Sequence, residues 1–241
     1  MKPVVKMNNI HKRYDAKQIE THALKGISLA INEGEFVAIT GPSGCGKSTL
    51  LSIMGLMDTA SEGDYQISEV ETAGLKVDQR THIRNLHIGY VFQSFNLIDS
   101  LTVFENVALP LEHRGEKASQ IKARVEQVLT QVDMLARQHY KPNQLSGGQQ
   151  QRIAIARALV GSPDLILVDE PTGNLDSKNG DKVMALLSEL NKAGSTIVMV
   201  THDSRYSQCA SRHIQLLDGK IVSEQVASTV INKNAEVQGV A

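Results

Sequence analysis

Eight consecutive residues, Gly41-Pro42-Ser43-Gly44-Cys45-Gly46-Lys47-Ser48, have the types and spacing of a loop that grips phosphate. The glycines let backbone N–H groups converge on phosphate oxygens, and a helix starting behind them adds the positive end of its dipole. Lys47 would reach the β- and γ-phosphates of a nucleotide, and the Ser48 hydroxyl would ligate Mg²⁺. The flanks agree: Phe36-Val37-Ala38-Ile39 reads as a strand and Thr49-Leu50-Leu51-Ser52-Ile53-Met54 as a helix. Strand, Gly-rich turn and helix in that order separate a site from a chance string. The chain is therefore expected to bind a nucleoside triphosphate; an ordinary Gly-rich turn is the plainer alternative. Cys45 lies inside the loop, where a helix N-terminus depresses a thiol pKa; a redox sensor and a small residue that simply fits are both open readings.

A second constellation is Leu165-Ile166-Leu167-Val168-Asp169-Glu170. Four apolar residues without alternation suit a parallel strand covered on both faces. Its end delivers two carboxylates, Asp169 to hold Mg²⁺ and Glu170 to orient or deprotonate an attacking water. Alone, the pair would pass for an acidic turn after a buried strand. A third is Leu145-Ser146-Gly147-Gly148-Gln149, directly before the helix-like Gln150 to Leu159. Ser146 and the glycines open a helix whose unpaired N–H groups form an anion site. A second such helix end is redundant in one chain holding one nucleotide, and makes sense if it meets a nucleotide held by another chain. A plain N-capped helix is the alternative.

The elements that must carry these residues can be read around them. Residues 24–39 read as a hairpin turning at Asn32-Glu33-Gly34-Glu35, and 59–87 as polar and irregular. Ile88 to Phe92 reads as a buried strand ending at Gln93. Ile121, Val125, Val128, Leu129, Val132 and Leu135 share one face of a helix over 118–136, and a second helix runs from Ser146-Gly147-Gly148 to about Val160. Val183, Leu186, Leu187 and Leu190 mark another helix, Thr196 to Val200 a central strand, and Leu216 to Val222 a hairpin around Asp218-Gly219. The alternation is that of an α/β nucleotide-binding core interrupted by a helical insertion.

Bulk properties set limits. The 241 residues suit one α/β domain, and 41% hydrophobic with 21% charged residues is ordinary for a folded protein. A formal net charge of −1 argues against a nucleic-acid backbone as the main partner. Cys45 and Cys209 cannot make a disulfide framework, which points to a reducing, cytoplasmic compartment. No apolar run approaches the ~20 residues that cross a bilayer, so a membrane role requires a partner chain.

Taken together, the three motifs resemble the ATPase subunit of an ABC transporter: a P-loop NTPase core with an N-terminal antiparallel β subdomain and an inserted α-helical subdomain. The resemblance implies one domain over 1–225, its core at 1–93 and 161–225 and its helical subdomain at about 94–160, with a tail at 226–241. It implies ATP and Mg²⁺ as ligands. Tyr14 would stack on adenine, and the loop from Gly41 through Ser48 to Thr49 would hold phosphates. Gln93 would sense Mg²⁺ and the attacking water, with Ser48 and Asp169 as the other metal-side residues. His202 would contact the γ-phosphate, and Ser146, Gly147, Gly148 and Gln149 would complete the site of the facing subunit. Lys47, Gln93, Glu170 and His202 form the implied catalytic set, and Gly173-Asn174-Leu175-Asp176 the loop crossing the dimer. The implied partners are a second copy and a separate membrane permease, with or without a periplasmic adaptor, and the place is the cytoplasmic face of the inner membrane. Ile88 to Ile98 and Leu101 to Leu111 are similar to the subgroup of macrolide exporters, lipoprotein-release systems and the cell-division complex. Asp99 departs from that subgroup, as does Ser68-Glu69 where a Gly-containing hairpin is usual. Two other readings, an ABC-type ATPase acting on DNA or ribosomes and a regulator without turnover, lack the coiled-coil, zinc or tandem-cassette marks of the first and the motif losses of the second.

Overall fold

A computed structural model describes residues 2–16 and 19–226; the tail noted above lies outside them except for Val226. In chain order the strands are β1 (Pro3–Ala16), β2 (Ile19–Asn32), β3 (Phe36–Thr40), β4 (Glu62–Ile67), β5 (Val70–Glu71), β6 (Ile88–Val91), β7 (Leu165–Asp169), β8 (Ile197–Val200), β9 (Arg212–Leu217) and β10 (Lys220–Val226). The helices are α1 (Lys47–Met54), α2 (Val77–His87), α3 (Val103–His113), α4 (Ala118–Gln131), α5 (Gly147–Leu159), α6 (Ser177–Lys192) and the short α7 (Ser204–Ser207).

Two sheets form. One is antiparallel, in the order β2-β1-β4-β5; the other has six strands in the order β10-β9-β3-β8-β7-β6, parallel except for the β9–β10 hairpin. The central strands are apolar throughout because both faces are covered. Phe36 and Ala38, Ile166 and Val168, and Ile197 and Met199 point to the layer built by α3, α4, α5 and α6. Their alternating neighbours, Val37 and Ile39, Leu165 and Leu167, and Val198 and Val200, point to α1 and the antiparallel sheet. The phosphate-loop helix α1 and the helix α5 that follows Ser146 therefore lie on opposite faces of the same sheet.

Three expectations need correction. Residues 24–39 are not a hairpin: β2 pairs with β1, and the turn at Asn32–Glu35 carries the chain from one sheet into the other. Short-range alternation cannot tell a return strand from one that changes partner. Residues 59–87 are not irregular but hold β4, β5 and α2. Their hairpin turns through Ser68 and Glu69 at φ 46 and 68, so the two left-handed positions of such a turn are occupied without a glycine to announce them. The helix expected over 118–136 ends at Gln131. Asp133 adopts φ 56, Asp133 N–H donates to Thr130 O, and Met134 N–H donates to Leu129 O at 2.7 Å. This is a Schellman stop with Asp in the glycine position, sealed by buried Leu129 and Met134.

Candidate active site

Strand register decides which residues meet. Ile39 lies opposite Val200, Val200 opposite Asp169, and Val168 opposite Val91. The segments leaving these strands, beginning at Gly41, Thr201, Glu170 and Phe92, thus emerge along one carboxyl edge, where open parallel sheets bind ligands.

The loop between β3 and α1 is shaped by two tight approaches. Gly41 sits at φ 152 with Leu216 O only 2.1 Å from where a Cβ would stand, and Gly46 at φ 104 with Ala23 O at 2.5 Å. Gly46 is the N-cap of α1 and gives no side-chain cap, and no acidic residue occupies the first turn, so the leading N–H groups remain open to an anion. Lys47 is 8% exposed and forms no salt bridge among the described residues. Its Nζ instead donates to Gly41 O and Pro42 O, each at 2.9 Å, and stands 3.9 Å from Cys45 Sγ. A buried ammonium in no direct ion pair, beside an open helix end, suits a ligand that brings negative charge. Cys45 is buried, while Ser43, Gly44 and Ser48 are exposed and Thr49 is partly so. Tyr14 is 43% exposed and reaches the same helix: Thr49 lies within hydrogen-bonding range of its hydroxyl, which donates to Asp58 Oδ2 at 2.9 Å. Burial and the Asp58 carboxylate both raise the Tyr14 pKa. Lys12 pairs with Asp58 at 2.7 Å and lies 4.9 Å from the Tyr14 ring centroid, fixing the ring from behind.

The carboxylates sit two strands away. Asp169 is partly buried, and its carboxylate accepts no hydrogen bond among the described residues. Burial, then the neighbouring Glu170, push its pKa up, and Lys47 partly opposes them. Glu170 adopts φ 44, in the left-handed region that a side chain seldom occupies. Its backbone is held from both sides, Glu170 N–H donating to Val200 O at 3.0 Å and Gly173 N–H to Glu170 O at 3.1 Å. Its Oε2 lies 2.8 Å from His202 Nδ1. Gln93 leans on the same turn: a Cβ at Gly173 would come within 2.6 Å of Gln93 Nε2, and Asn174 Nδ2 donates to Gln93 O at 3.0 Å. Glu170, Gly173, Thr201 and His202 line a small cavity of about 220 Å³.

Among the described residues no group of three or more His, Cys, Asp and Glu could hold a metal ion unaided. The unpaired Asp169 carboxylate, with the hydroxyl of Ser48 and the amide of Gln93, fits a hard cation that takes its remaining ligands from phosphate and water, as Mg²⁺ does.

Ser146 caps α5 in a reciprocal box, Gln149 N–H donating to Ser146 Oγ at 3.4 Å and Ser146 N–H to Gln149 Oε1 at 2.9 Å. Gly147 and Gly148 have neighbours close by: a Cβ would stand 3.3 Å from Leu175 Cδ2 at the first and 2.9 Å from Asn179 Oδ1 at the second. This segment packs on the helical face of the sheet, not the face of α1, so one chain does not bring it to Lys47. The register does gather Lys47, Asp169, Glu170, His202 and Gln93 at one edge. Gly173, expected only as part of the loop crossing the dimer, also leaves room for the Gln93 amide, and Thr201, which carries no role in the sequence reading, is buried and caps Asp203 N–H at 3.1 Å. Only their places beside Glu170 and His202 could have drawn attention to these roles.

Residues 24–173, from the middle of β2 to the turn after Glu170, match the family model described as ABC transporter. The ABC transporter ATP-binding protein MJ1508 of Methanocaldococcus jannaschii, an uncharacterized protein, is 46% identical over 230 residues, spanning 95% of this chain and 100% of that one. The chain belongs to the ABC transporter family. It is an ATP-binding cassette and, as such, an ATPase. The macrolide export ATP-binding/permease protein MacB of Bartonella henselae is 44% identical to the cassette over 230 residues, covering 95% of this chain and 35% of that protein. The cassette thus spans about a third of the length of that relative. A solved dimeric structure of the ATP-binding cassette MJ0796, in a post-hydrolysis state bound to ADP and phosphate, superposes with a TM-score of 0.85 at 46% identity, covering 92% of this chain and 98% of that one. Among the described residues of the cassette no helix is long and apolar enough to cross a membrane.

Proposed function

We propose that two copies of this cassette close head to tail around two ATP molecules and that closure and hydrolysis drive a separate membrane permease. The observation that carries the reading is that α5, capped by Ser146, packs on the face of the central sheet opposite the one that carries α1 behind the phosphate loop. An anion-seeking helix end with no nucleotide of its own within reach is complete only against a facing copy.

In each site the loop Gly41 to Thr49 and Lys47 hold the triphosphate, and Tyr14 stacks on the adenine. The facing Ser146 to Gln149 closes on the γ-phosphate. Mg²⁺, held through Ser48, Asp169 and Gln93, would neutralise phosphate charge. Glu170 accepts the proton of the attacking water as its oxygen bonds to the γ-phosphorus and the bond to the bridging oxygen breaks, releasing ADP and phosphate. His202 fixes the Glu170 carboxylate from one side, and Gln93 orients the water from the other. Loss of the γ-phosphate removes the contact between copies, which is how a nucleotide becomes a mechanical switch.

The helical stretch of about 94–160 acts as a lobe of the single domain over 1–225 and carries the motion outward. A cleft of about 610 Å³ between this stretch and α2, lined by His82, Tyr90, Phe92, His113 and Arg114, supports a docking role for it. The likeness to about a third of a protein named as a macrolide export ATP-binding/permease protein supports a permease of the exporter type, and with it a place at the cytoplasmic face of the membrane. A periplasmic adaptor would belong to the permease side.

Glu170→Gln tests the reading. It is expected to bind ATP, to lose on the order of 10²–10⁴ in turnover, and to accumulate as an ATP-dependent dimer in size-exclusion chromatography. A monomeric variant with full turnover would remove Glu170 from the reaction.

A further inference from the structure

We infer that Arg157 is a positioning residue for hydrolysis: from the far end of α5 its guanidinium clamps the loop that follows Gln93 and so fixes where the Gln93 amide stands. The inference rests on the role proposed above for Gln93.

The loop is the most contorted segment next to the site. Phe95 and Asn96 are consecutive non-glycine residues at φ 60 and 49. Each sits where a side chain is unfavourable, and such a pair persists only when its surroundings hold it there. Arg157 supplies that hold. One guanidinium nitrogen donates to Phe95 O at 2.8 Å and the other terminal nitrogen donates to Asn96 O. Two adjacent carbonyls are taken by the two arms of one rigid planar group, whereas a lysine would have to meet both from a single nitrogen on a flexible stem. Arg157 forms no salt bridge among the described residues, so its charge is spent on these carbonyls. Burial lowers its pKa, though an arginine remains charged at any working pH.

The clamp reaches Gln93 by a short path. Only Ser94 separates Gln93 from Phe95, and Asn96 N–H closes a tight turn onto Ser94 O at 2.6 Å. On its other side Gln93 is tied by Asn174 to the turn that follows Glu170. Gln93 is thus held between α5 and the Glu170 turn, and release of Phe95 and Asn96 frees one of the two. The same α5 begins at Ser146, and a Cβ at Gly147 would lie 3.5 Å from Phe95 Cζ, so the loop touches both ends of one rigid helix. A displacement of α5 therefore moves the loop, and Gln93 with it. Arg157 also lines the 610 Å³ cleft.

The test is a double-mutant cycle on the full chain, reading kcat, KM for ATP, the Kd of a fluorescent ATP analogue and thermal unfolding. Arg157→Gln is expected to lower kcat by roughly tenfold or more, with KM and Kd within about twofold of the parent, because the phosphate loop is untouched. Arg157→Lys should fall in between; it also serves as the readout if Arg157→Gln fails to unfold cooperatively. In a Gln93→Ala background, Arg157→Gln should cost less than about twofold more, since the group it positions is gone. A slow Gln93→Ala beside a folded Arg157→Gln at parental kcat would overturn the clamp alone. Equal fold losses in both backgrounds would overturn it too, by showing that Arg157 acts elsewhere. A Gln93→Ala enzyme at parental kcat would instead remove the role of Gln93 on which the clamp depends.

Discussion

Lys47→Ala should abolish most of the stabilisation that ATP confers while leaving the nucleotide-free cassette about as stable as before. In the structure Lys47 is 8% exposed, unpaired with any carboxylate, and turned back on Gly41 O and Pro42 O. Removing it relieves a buried charge and frees two carbonyls at the rim of an open loop, and these effects oppose each other. Towards phosphate the balance is one-sided, because a charge-assisted hydrogen bond contributes about 1.5–3 kcal/mol. Taking about 2 kcal/mol, affinity falls roughly 30-fold at 1.36 kcal/mol per decade. With ATP at about 100 times the parental Kd, binding stabilises the parent by about 2.7 kcal/mol, whereas the variant at about 3 times its own Kd gains only about 0.8 kcal/mol. At about 2–4 °C per kcal/mol for a chain of this size, the ATP-induced rise in Tm should be about 5–11 °C for the parent and about 2–3 °C for the variant. Differential scanning fluorimetry with and without Mg-ATP reads both. Equal ATP-induced rises in the two proteins would refute the argument, because the lysine would then have no part in holding phosphate.

Two further outcomes follow from the carboxyl edge. Burial and Glu170 raise the pKa of Asp169, so the folded state holds that proton more tightly than the unfolded chain does. The stability this contributes is complete below the ordinary carboxylate value of about 3.9 and is lost as pH rises through the raised value. Asp169→Asn should therefore match the parent in Tm near or below that ordinary value and exceed it increasingly towards neutral pH, without Mg²⁺. A variant no more stable than the parent at pH 7 would contradict this. Gly173→Ala puts a methyl group only 2.6 Å from Gln93 Nε2 as it now stands. The amide end must move, so kcat should fall at least about tenfold with ATP affinity unchanged; parental kcat in this variant would show that the Gln93 amide has latitude.

Much of the site was legible because its residues are contiguous. The phosphate loop, the Asp169-Glu170 pair and the Ser146 to Gln149 helix start each carry their chemistry within a few positions, and flanking apolar runs show whether strand or helix presents them. The β9–β10 turn was equally plain, since Asp218-Gly219 names its own geometry. What stayed hidden is what depends on partners distant in sequence. Nothing in residues 24–39 says that β2 pairs backward with β1 while β3 leaves for another sheet. The β4–β5 turn uses Ser68 and Glu69 at left-handed angles without glycine, and α4 stops at an Asp133 that resembles any surface acid. Arg157 looks like one basic residue on an amphipathic helix; its meaning appears only when the Phe95 and Asn96 carbonyls, some sixty residues earlier in the chain, are seen on its guanidinium.

The central claim, that each nucleotide is completed by two chains, is tested most directly by mixing two inactive variants. Lys47→Ala removes the phosphate grip. Ser146→Asp keeps a good N-cap for α5 but sets a negative charge against the γ-phosphate. Paired head to tail, the two variants concentrate both lesions in one site and leave the other intact. ATPase activity should therefore return on mixing, to roughly a quarter of the parental rate if pairing is random and the sites act independently. If heterodimers form, as verified with two different affinity tags, and activity stays at the level of the separate variants, the shared site is contradicted.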